Sequence, residues 1–337
     1  MATGKLIATA LIITAALTCI SGCVIVIGGN GSNGGGAQCN NCSFQAQHEK
    51  PLTLTAPLAA DGLFRAGNTD GAVQIIAADT DQVTVEATIL AKAPDEEKAV
   101  KLAEDSRLEL IPTTDGLKLK LTHPSLPPCH FLDVSFTATV PRSASIRLTS
   151  DDGKINITGI AGSITINNDD GNIDLTDVGN PQAAHTLTTD DGHIRITNLR
   201  GRFELNTNDG PLTAQNLPED IKITTDDGNI SLTQVQGSIH VRADDANIKV
   251  HYTPNAPPAP MIDLQTDDGR VELFTPAGFS AKIDIMTDDG GLRSDLPISI
   301  MGDIKPHQIK GTISDGKGTL RIHTDDGPIT IKPAKLE

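Results

Sequence analysis

The chain has almost no aromatic residues. Its 337 residues include 7 Phe, 1 Tyr and no Trp, so aromatic side chains make up 2% of the total. Aromatic rings bury large apolar areas, and most globular cores depend on them. A core of this composition must instead be built from Ile, Leu and Val, which favour β-strands. The same scarcity leaves few rings on which a sugar could stack.

Basic residues are also scarce. The chain carries 27 Lys and Arg against 43 Asp and Glu, which gives a formal charge of −16. Nucleic acids and anionic lipid head groups are bound through concentrated positive charge. The Lys and Arg residues form no cluster in the sequence. The composition therefore argues against a basic binding face, and no nucleic-acid partner is expected.

The N-terminal segment has the layout of an export signal. Lys5 precedes the apolar residues 6–20, and the run ends in Ile20-Ser21-Gly22-Cys23. These last four residues resemble the lipobox of bacterial lipoproteins, in which a branched apolar residue and two small residues precede the cysteine. By that resemblance residues 1–22 form a signal peptide and Cys23 is lipidated.

An uncleaved transmembrane helix is the alternative for this segment, because residues 6–27 are just long enough to span a bilayer.

Residues 23–45 are rich in Gly and predict a flexible tether. Val24 follows the lipidated position and, in a bacterium with two membranes, would permit sorting to the outer membrane. The predicted location is therefore the cell envelope, at the outer membrane or the cell surface, with attachment through a lipid anchor.

Three further cysteines predict a disulfide, because exported chains favour them. Cys39 and Cys42 have the CxxC spacing of redox and zinc sites. However, no thioredoxin-like pattern follows them and no second CxxC accompanies them. We expect a structural disulfide among Cys39, Cys42 and Cys129. Free thiols, or a metal or redox site, remain the alternatives.

Residues 46–140 predict a small β-rich unit with one helix. The expected strands, from alternating or continuous apolar residues, are 52–55, 72–76, 82–90, 108–110, 117–121 and 131–140. The helix is expected at 94–106, because Pro94 suits the first helical position and acidic residues fill the first turn. Its narrow apolar face consists of Ala99, Leu102 and Ala103.

Residues 141–333 repeat one motif, a pair of Asp residues and a Gly between two stretches of alternating aliphatic residues. The full copies end at Gly153, Gly171, Gly192, Gly228, Gly269, Gly290 and Gly327. Degenerate copies end at Gly210, Ala246 and Gly316. Most copies follow one another at roughly 18–23 residues, which indicates a repeat architecture. The Pro-rich residues 253–260 and the irregular residues 296–308 are predicted insertions.

Each copy predicts two short strands, because aliphatic and polar residues alternate on both sides of the turn. A solenoid of parallel coils and a chain of antiparallel hairpins both fit this pattern. We predict an all-β fold in which a right-handed, single-stranded β-solenoid (β-helix) follows the small β-rich unit. Four aliphatic side chains per copy cannot form a core alone, and a long hairpin chain would need a second sheet to cover it.

The repeat also has a family resemblance. Val140-Pro141 is followed by Gly153-Lys154-Ile155-Asn156-Ile157 and Gly162-Ser163-Ile164-Thr165-Ile166. This pattern resembles the bacterial adhesin-type family of β-strand-repeat proteins called DUF4097, over roughly residues 60–333. The resemblance implies a β-solenoid, often on an exported or membrane-attached protein. It brings no established active site.

The Asp pairs have three interpretations: turn residues, cation ligands and catalytic acids. In turns, Asp accepts backbone hydrogen bonds and Gly allows positive φ. In a solenoid the pairs would stack about 4.8 Å apart, and Ca²⁺ would relieve their repulsion. The candidate Ca²⁺ ligands are Asp151, Asp152, Asp169, Asp170, Asp190, Asp191, Asp226 and Asp227. We predict turns first, with weak Ca²⁺ binding as a second use.

Catalysis is not expected, because a catalytic pair should be unique and lie in a cleft, whereas nearly every copy carries the pair. His185 replaces an aliphatic residue of the repeat and is expected to be partly buried near the end of a sheet. No catalytic residue and no certain cofactor are predicted.

The predicted function is that of a non-enzymatic, lipid-anchored envelope protein, whose acidic solenoid serves adhesion, binding or a structural role. An envelope stress sensor that contacts another protein is the first alternative, and a polysaccharide-active β-helix enzyme is a less favoured one. The expected partners are the membrane, through the lipid anchor, and an envelope protein or a glycan.

Overall fold

The chain is built almost entirely of β-strands. The computed structural model describes residues 44–68, 70–300 and 307–335. In this range it forms 25 strands and one helix, α1 (Glu96–Asp105). The first strands are β1 (Ala46–Pro57), β2 (Leu63–Gly67), β3 (Val73–Ala78), β4 (Gln82–Ala93), β5 (Arg107–Thr113), β6 (Gly116–Thr122) and β7 (Phe131–Pro141).

The repeat region supplies the other strands. They are β8 (Ser145–Ser150), β9 (Ile155–Thr158), β10 (Ile164–Asn168), β11 (Ile173–Thr189), β12 (Ile194–Thr207), β13 (Leu212–Leu217), β14 (Ile221–Thr225), β15 (Ile230–Val235), β16 (Ile239–Ala243), β17 (Ile248–Tyr252), β18 (Met261–Thr266), β19 (Val271–Thr275), β20 (Ala281–Thr287), β21 (Leu292–Ser294), β22 (Ser299–Ile300), β23 (Gln308–Ile313), β24 (Gly318–Thr324) and β25 (Ile329–Pro333). As predicted, residues 253–260 contain no strand.

Parallel pairing arranges most of these strands in two rows. Row one runs β6–β2–β8–β10–β11–β12–β14–β16–β18–β24–β20. Row two runs β7–β3–β9–β11–β12–β13–β15–β17–β19–β25–β21. One coil consists of a row-one strand, an Asp-containing turn and a row-two strand. The predicted all-β solenoid is confirmed, and the turns do not close antiparallel hairpins.

The core is a stack of aliphatic side chains that face inward from both rows. In row one, Ile146 of β8 lies in register with Ile164 of β10. In row two, Ile155 of β9 lies in register with Ile173 of β11. All four are at most 1% exposed. Full burial of such a side chain stabilises by about 1.5–3 kcal/mol, so an aliphatic core can replace the missing aromatic one.

The coils are not stacked in the order of the sequence. β24 lies between β18 and β20, and β25 lies between β19 and β21. At the other end, β2 and β3 lie between β6 and β7 on one side and β8 and β9 on the other. Every coil presents the same inward side chains, so the repeat pattern holds no information about which coils are neighbours.

Antiparallel strands cover much of the two ends of the rows. β5 pairs with β6, β4 pairs with β7, and β1 pairs with β4. At the opposite end β23 pairs with β20, and the two-residue strand β22 pairs with β23. Unpaired strand edges template aggregation. These additional strands therefore limit the end-to-end association that a bare stack of coils would invite.

Residues 46–140 share one sheet with the repeat region, because β2 pairs with β8 and β3 pairs with β9. The described residues all belong to one compact unit. The helix begins later than predicted: the Asp95 carboxylate accepts a hydrogen bond from the Lys98 amide at 2.9 Å and caps the helix, so Pro94 precedes it. Its apolar face is the predicted one, with Ala99, Leu102 and Ala103 buried.

Glycine at the turns is required by close approach of the coils. A Cβ on Gly228 would lie 2.3 Å from the carbonyl oxygen of Gly210 in the preceding coil. The expectation that these glycines supply positive φ is wrong for most of them. Among the Asp-Asp-Gly copies, Gly192 alone has a φ in that region, at +112°. The spacing between hydrogen-bonded coils leaves no room for a side chain here.

We predict that Gly228→Ala destabilises the fold by about 1–3 kcal/mol, because a well-packed site must shift to admit the methyl group. The measurement is the free energy of unfolding from urea titration followed by circular dichroism. Gly67→Ala is the control, since a Cβ there would meet no atom within 4 Å. Equal stability of the two variants would contradict the steric explanation.

Candidate functional site: the acidic edge and its supporting ladders

The Asp-containing turns stack into a line that we call the acidic edge. In stacking order its members are Asp151 and Asp152, Asp169 and Asp170, Asp190 and Asp191, Asn208 and Asp209, Asp226 and Asp227, Asp244 and Asp245, Asp267 and Asp268, Asp325 and Asp326, and Asp288 and Asp289. The degenerate copy at Gly316 is different. It closes the turn between β23 and β24, where the Gly316 amide donates to the Ile313 carbonyl, and it lies outside the edge.

Backbone hydrogen bonds hold each turn to the next. The amides of Asp226 and Asp227 both donate to the carbonyl of Asn208, each at 3.0 Å. The same shared acceptor recurs along the edge, for example at Asp190, whose carbonyl accepts from Asn208 and Asp209. The prediction that the pairs are turn residues agrees with this geometry. These hydrogen bonds also hold neighbouring pairs of carboxylates one coil apart.

A ladder of buried hydroxyl and amide side chains lies directly beneath the acidic edge. We call it the hydroxyl ladder, and it consists of Ser150, Asn168, Thr189, Thr207, Thr225, Thr266, Thr287 and Thr324, all buried. Each precedes a turn by one residue, and Ala243 takes the place in one coil. The sequence carries a signal for this ladder that the predictions above do not include: Ser, Asn or Thr precedes all but one of the pairs.

The hydroxyl ladder joins the turns within and between coils. Thr324 Oγ1 accepts a hydrogen bond from the Gly327 amide at 3.1 Å. It also lies 3.0 Å from the Asp267 carbonyl oxygen and 3.2 Å from the Gly269 carbonyl oxygen of the neighbouring coil. Thr287 makes the equivalent contacts with Asp325 and Gly327. A buried polar group is tolerated only when it is hydrogen-bonded, and here the hydroxyls of Thr324 and Thr287 satisfy turn groups that strands cannot reach.

A second line of polar residues marks the other corner of the coils, within the long strands β11 and β12 and near the ends of β13 and β15. Asp177, Asn198, Asn216 and Gln234 all have φ between 54° and 59°. Asn198 Nδ2 donates to Asp177 Oδ1 at 2.5 Å, and Asn216 Nδ2 donates to Asn198 Oδ1 at 2.7 Å. Asn and Asp adopt this left-handed conformation more readily than other residues with side chains. The corner is therefore built by local backbone preference and braced by amide hydrogen bonds.

Stacking raises the pKa of several carboxyls of the acidic edge. At Asp170, Asp245 and Asp267 the largest cause is desolvation, followed by repulsion from the Asp residues around them. At Asp326 the largest cause is the charge of Asp268 in the next coil. Asp70 continues the trend, since desolvation and the charges of Asp152 and Asp151 raise its pKa. Ionisation of these five carboxyls thus opposes folding.

The eight predicted Ca²⁺ ligands all lie on this edge, from Asp151 to Asp227. However, in residues 44–68, 70–300 and 307–335 no group of three or more His, Cys, Asp or Glu side chains is arranged to hold a metal ion. Ca²⁺ prefers six to eight oxygen ligands, and adjacent pairs supply carboxylates without converging on one point. Calcium binding at these eight residues stays a prediction.

His185 is more deeply buried than expected, at 1% exposure. It lies in register with Phe203, and its Nε2 is 2.9 Å from the Arg200 carbonyl oxygen. Its Nδ1 is buried without a hydrogen-bond partner. Desolvation lowers the pKa of the imidazole and outweighs the hydrogen bond to the Arg200 carbonyl, which raises it. His185 is therefore a neutral core residue, and nothing nearby assigns it a catalytic part.

Cys129 forms a disulfide. It has a positive φ of 60° and lies in the loop that precedes β7. Cys23, Cys39 and Cys42 lie outside the described residues, as do the predicted signal peptide 1–22 and most of the tether. Lipidation of Cys23 and the pairing among Cys39, Cys42 and Cys129 stay predictions.

We predict that Thr324→Val destabilises the fold by about 1–3 kcal/mol, because it leaves the buried Gly327 amide without its acceptor. The change keeps the side-chain shape, so the loss reports the hydroxyl. Urea unfolding measures it. Thr319→Val is the matched control, because Thr319 lies in the same strand and is exposed. A variant at position 324 as stable as the control would refute a structural role for the hydroxyl ladder.

We predict that stability rises as the pH falls from 7 towards about 4, near the unfolded Asp pKa. The acidic-edge carboxyls with raised pKa bind protons more readily in the folded chain, so protonation favours folding. His185 opposes this below about pH 6.5, because desolvation lowers its pKa and the unfolded chain binds that proton more readily. Asp115 and Asp95 oppose it at still lower pH, because hydrogen bonds from Arg65 and Lys98 hold their pKa values low. Melting temperature against pH is the measurement.

The matched variant for this prediction is Asp170→Asn, which removes one charge from the acidic edge. It should raise the melting temperature at pH 7 and change it less at pH 4, where the wild-type carboxyls are partly protonated. Equal melting temperatures of the wild type and Asp170→Asn at pH 7 would show that repulsion at this position of the edge is negligible.

Comparison with known proteins gives a family. A family model described as Toastrack DUF4097 matches residues 67–332. No curated protein matches the chain in sequence. One solved structure, described as a putative cell adhesion protein from Clostridium sporogenes, is 10% identical, with 84% of this chain and 100% of that chain covered and a TM-score of 0.20. The family model spans the solenoid from the end of β2 to β25, and the chain belongs to the Toastrack DUF4097 family.

Proposed function

We propose that the chain is a non-enzymatic binding module of the bacterial cell envelope. Lipid on Cys23 would hold it at a membrane, and the outward faces of its two rows would contact a partner. The observation that carries the proposal is the bracing of the coils at both corners. The hydroxyl ladder fixes one corner and the line from Asp177 to Gln234 fixes the other. A scaffold held in this way presents outward side chains in fixed positions.

Binding is favoured over catalysis because the carboxylates of the acidic edge lie in equivalent turns. The raised pKa values of Asp170 and Asp267 come from desolvation and from neighbouring carboxylates. A catalytic acid and base usually have environments that push their pKa values apart. The acidic edge instead repeats one environment over many coils, which suits a structural series.

The acidic edge also restricts how the module can approach its surroundings. Bacterial envelopes carry many anionic groups, and like charges repel over about 8 Å at physiological ionic strength. With a formal charge of −16 and its Asp pairs in one line, the module would keep that edge away from anionic surfaces. The outward faces of the rows, where acidic side chains are paired with cationic ones, as Glu204 is with Lys222, would face them instead.

The anchor is tested by expression of the full chain in a bacterium that exports lipoproteins. Cys23→Ser should abolish incorporation of labelled palmitate and release the protein from the membrane fraction, because its thiol carries the lipid. Cys19→Ser is the matched control and should change neither. A Cys23→Ser protein that stays in the membrane at precursor length would instead indicate the uncleaved helix of residues 6–27.

The binding function is tested with beads that carry the purified full chain. They should be retained on isolated cell envelopes more strongly than beads that carry the same chain after thermal unfolding, because the outward faces exist only in the folded state. The fraction retained after washing is the measurement. Equal retention of folded and unfolded chains would reject a binding module.

A further inference from the structure

A groove lies on the outward face of row two, near the corner of the coils. Strands β13, β15, β17, β19 and β25 place five outward side chains in register: Gln215, Thr233, His251, Phe274 and Lys332. The groove encloses about 750 Å³. That volume lies within the range of about 300–1,000 Å³ that is typical of ligand pockets.

An aromatic pair forms one wall of the groove. The rings of His251 and Phe274 stack with their centroids 4.8 Å apart and their planes at 27°. Both side chains point outward and are partly exposed. A ring at the surface offers a flat apolar face. His251 and Phe274 are therefore two of the few rings of the chain on which a sugar could stack.

Amide and hydroxyl groups form the neighbouring wall. Gln215 Nε2 donates to Gln234 Oε1 at 3.3 Å, and both side chains are exposed. Thr233 lies between Gln215 and His251 in register. Each primary amide has two N–H donors and a carbonyl acceptor, so the Gln pair keeps unused groups for a ligand. A ligand with several hydroxyls on one side could donate hydrogen bonds to this wall and accept them from it.

Positive charge borders the groove, in contrast to the acidic edge. Lys249 Nζ lies 5.9 Å from the centre of the Phe274 ring. Lys332 follows Phe274 in register, and Lys335 lines the groove. The nearby carboxylate of Glu272 is shared between Lys249 at 4.0 Å and Arg270 at 3.8 Å. The local balance is therefore cationic in a chain of formal charge −16, which favours an anionic ligand.

We propose that this groove binds an acidic glycan, with a uronic-acid residue as the recognised unit. The apolar face of the sugar ring would stack on Phe274, its hydroxyls would bond to Gln215, Gln234 and Thr233, and its carboxylate would meet Lys335. Flat apolar surface, planar amides and ammonium groups within one groove match these three parts of a uronic acid. The assignment rests on the proposed binding function and names the ligand class.

The test is electrophoresis of the purified full chain, in detergent, through native gels that contain polygalacturonate. We expect polygalacturonate to retard the protein and neutral dextran to leave its mobility unchanged. Phe274→Ala should weaken the apparent affinity at least tenfold, because it removes the stacking surface. Lys335→Glu should weaken it at least threefold and is an exposed change that leaves the core untouched, so the test survives if the Phe274 variant misfolds.

Met261→Ala is the control, because Met261 is 62% exposed and does not line the groove. It should keep the wild-type affinity. Absence of retardation, or equal retardation of wild type and the Lys335 variant, would overturn the proposal. Retardation by polyglutamate and not by polygalacturonate would assign the groove to acidic peptides instead.

The bead assay separates the two proposals. If coated beads still bind envelopes while polygalacturonate fails to retard the protein, the glycan assignment alone is wrong. If neither interaction is observed, the binding function fails as well.

Discussion

The parallel hydrogen bonding of one coil to the next sets the register on which the other contacts of the molecule depend. In both rows each strand residue meets its equivalent in the neighbouring coil, as Ile146 meets Ile164. Residues of the same kind therefore stack on one another: aliphatic side chains in the core, hydroxyls beneath the turns and carboxylates along the edge. Stacking stabilises the aliphatic core and the hydroxyl ladder, because apolar area is buried and buried donors find acceptors.

For the carboxylates the same register is unfavourable, and the chain keeps them nonetheless. The pKa of Asp326 is raised chiefly by the charge of Asp268 one coil away, and that of Asp170 by desolvation and then by neighbouring charges. The turns tolerate this because their backbone and the hydroxyl ladder hold them independently of the Asp side chains. The charge concentrated on one edge then leaves the faces of the rows free for a different chemistry, as at Phe274 and Lys335.

The sequence predicted the features that are local in the chain. The alternation around each Asp pair gave the strands, and the acidic first turn after residue 94 gave the helix. The sequence did not predict that β24 lies between β18 and β20, because every coil offers a similar inward pattern to any neighbour. The aromatic pair was also missed: His251 and Phe274 are 23 residues apart in sequence, and only the coil register brings their rings together.

The placement of β24 and β25 has a consequence for how the chain can assemble. A chain that emerges from a ribosome or a channel can stack its coils one by one only as far as β19. Strands β20 and β21 then have no finished surface to join, because residues 318–333 must first be inserted between them and the preceding coil. Completion of this end is therefore a late step. Until then the edges of β18 and β19 are unpaired, and strands of other chains could pair with them.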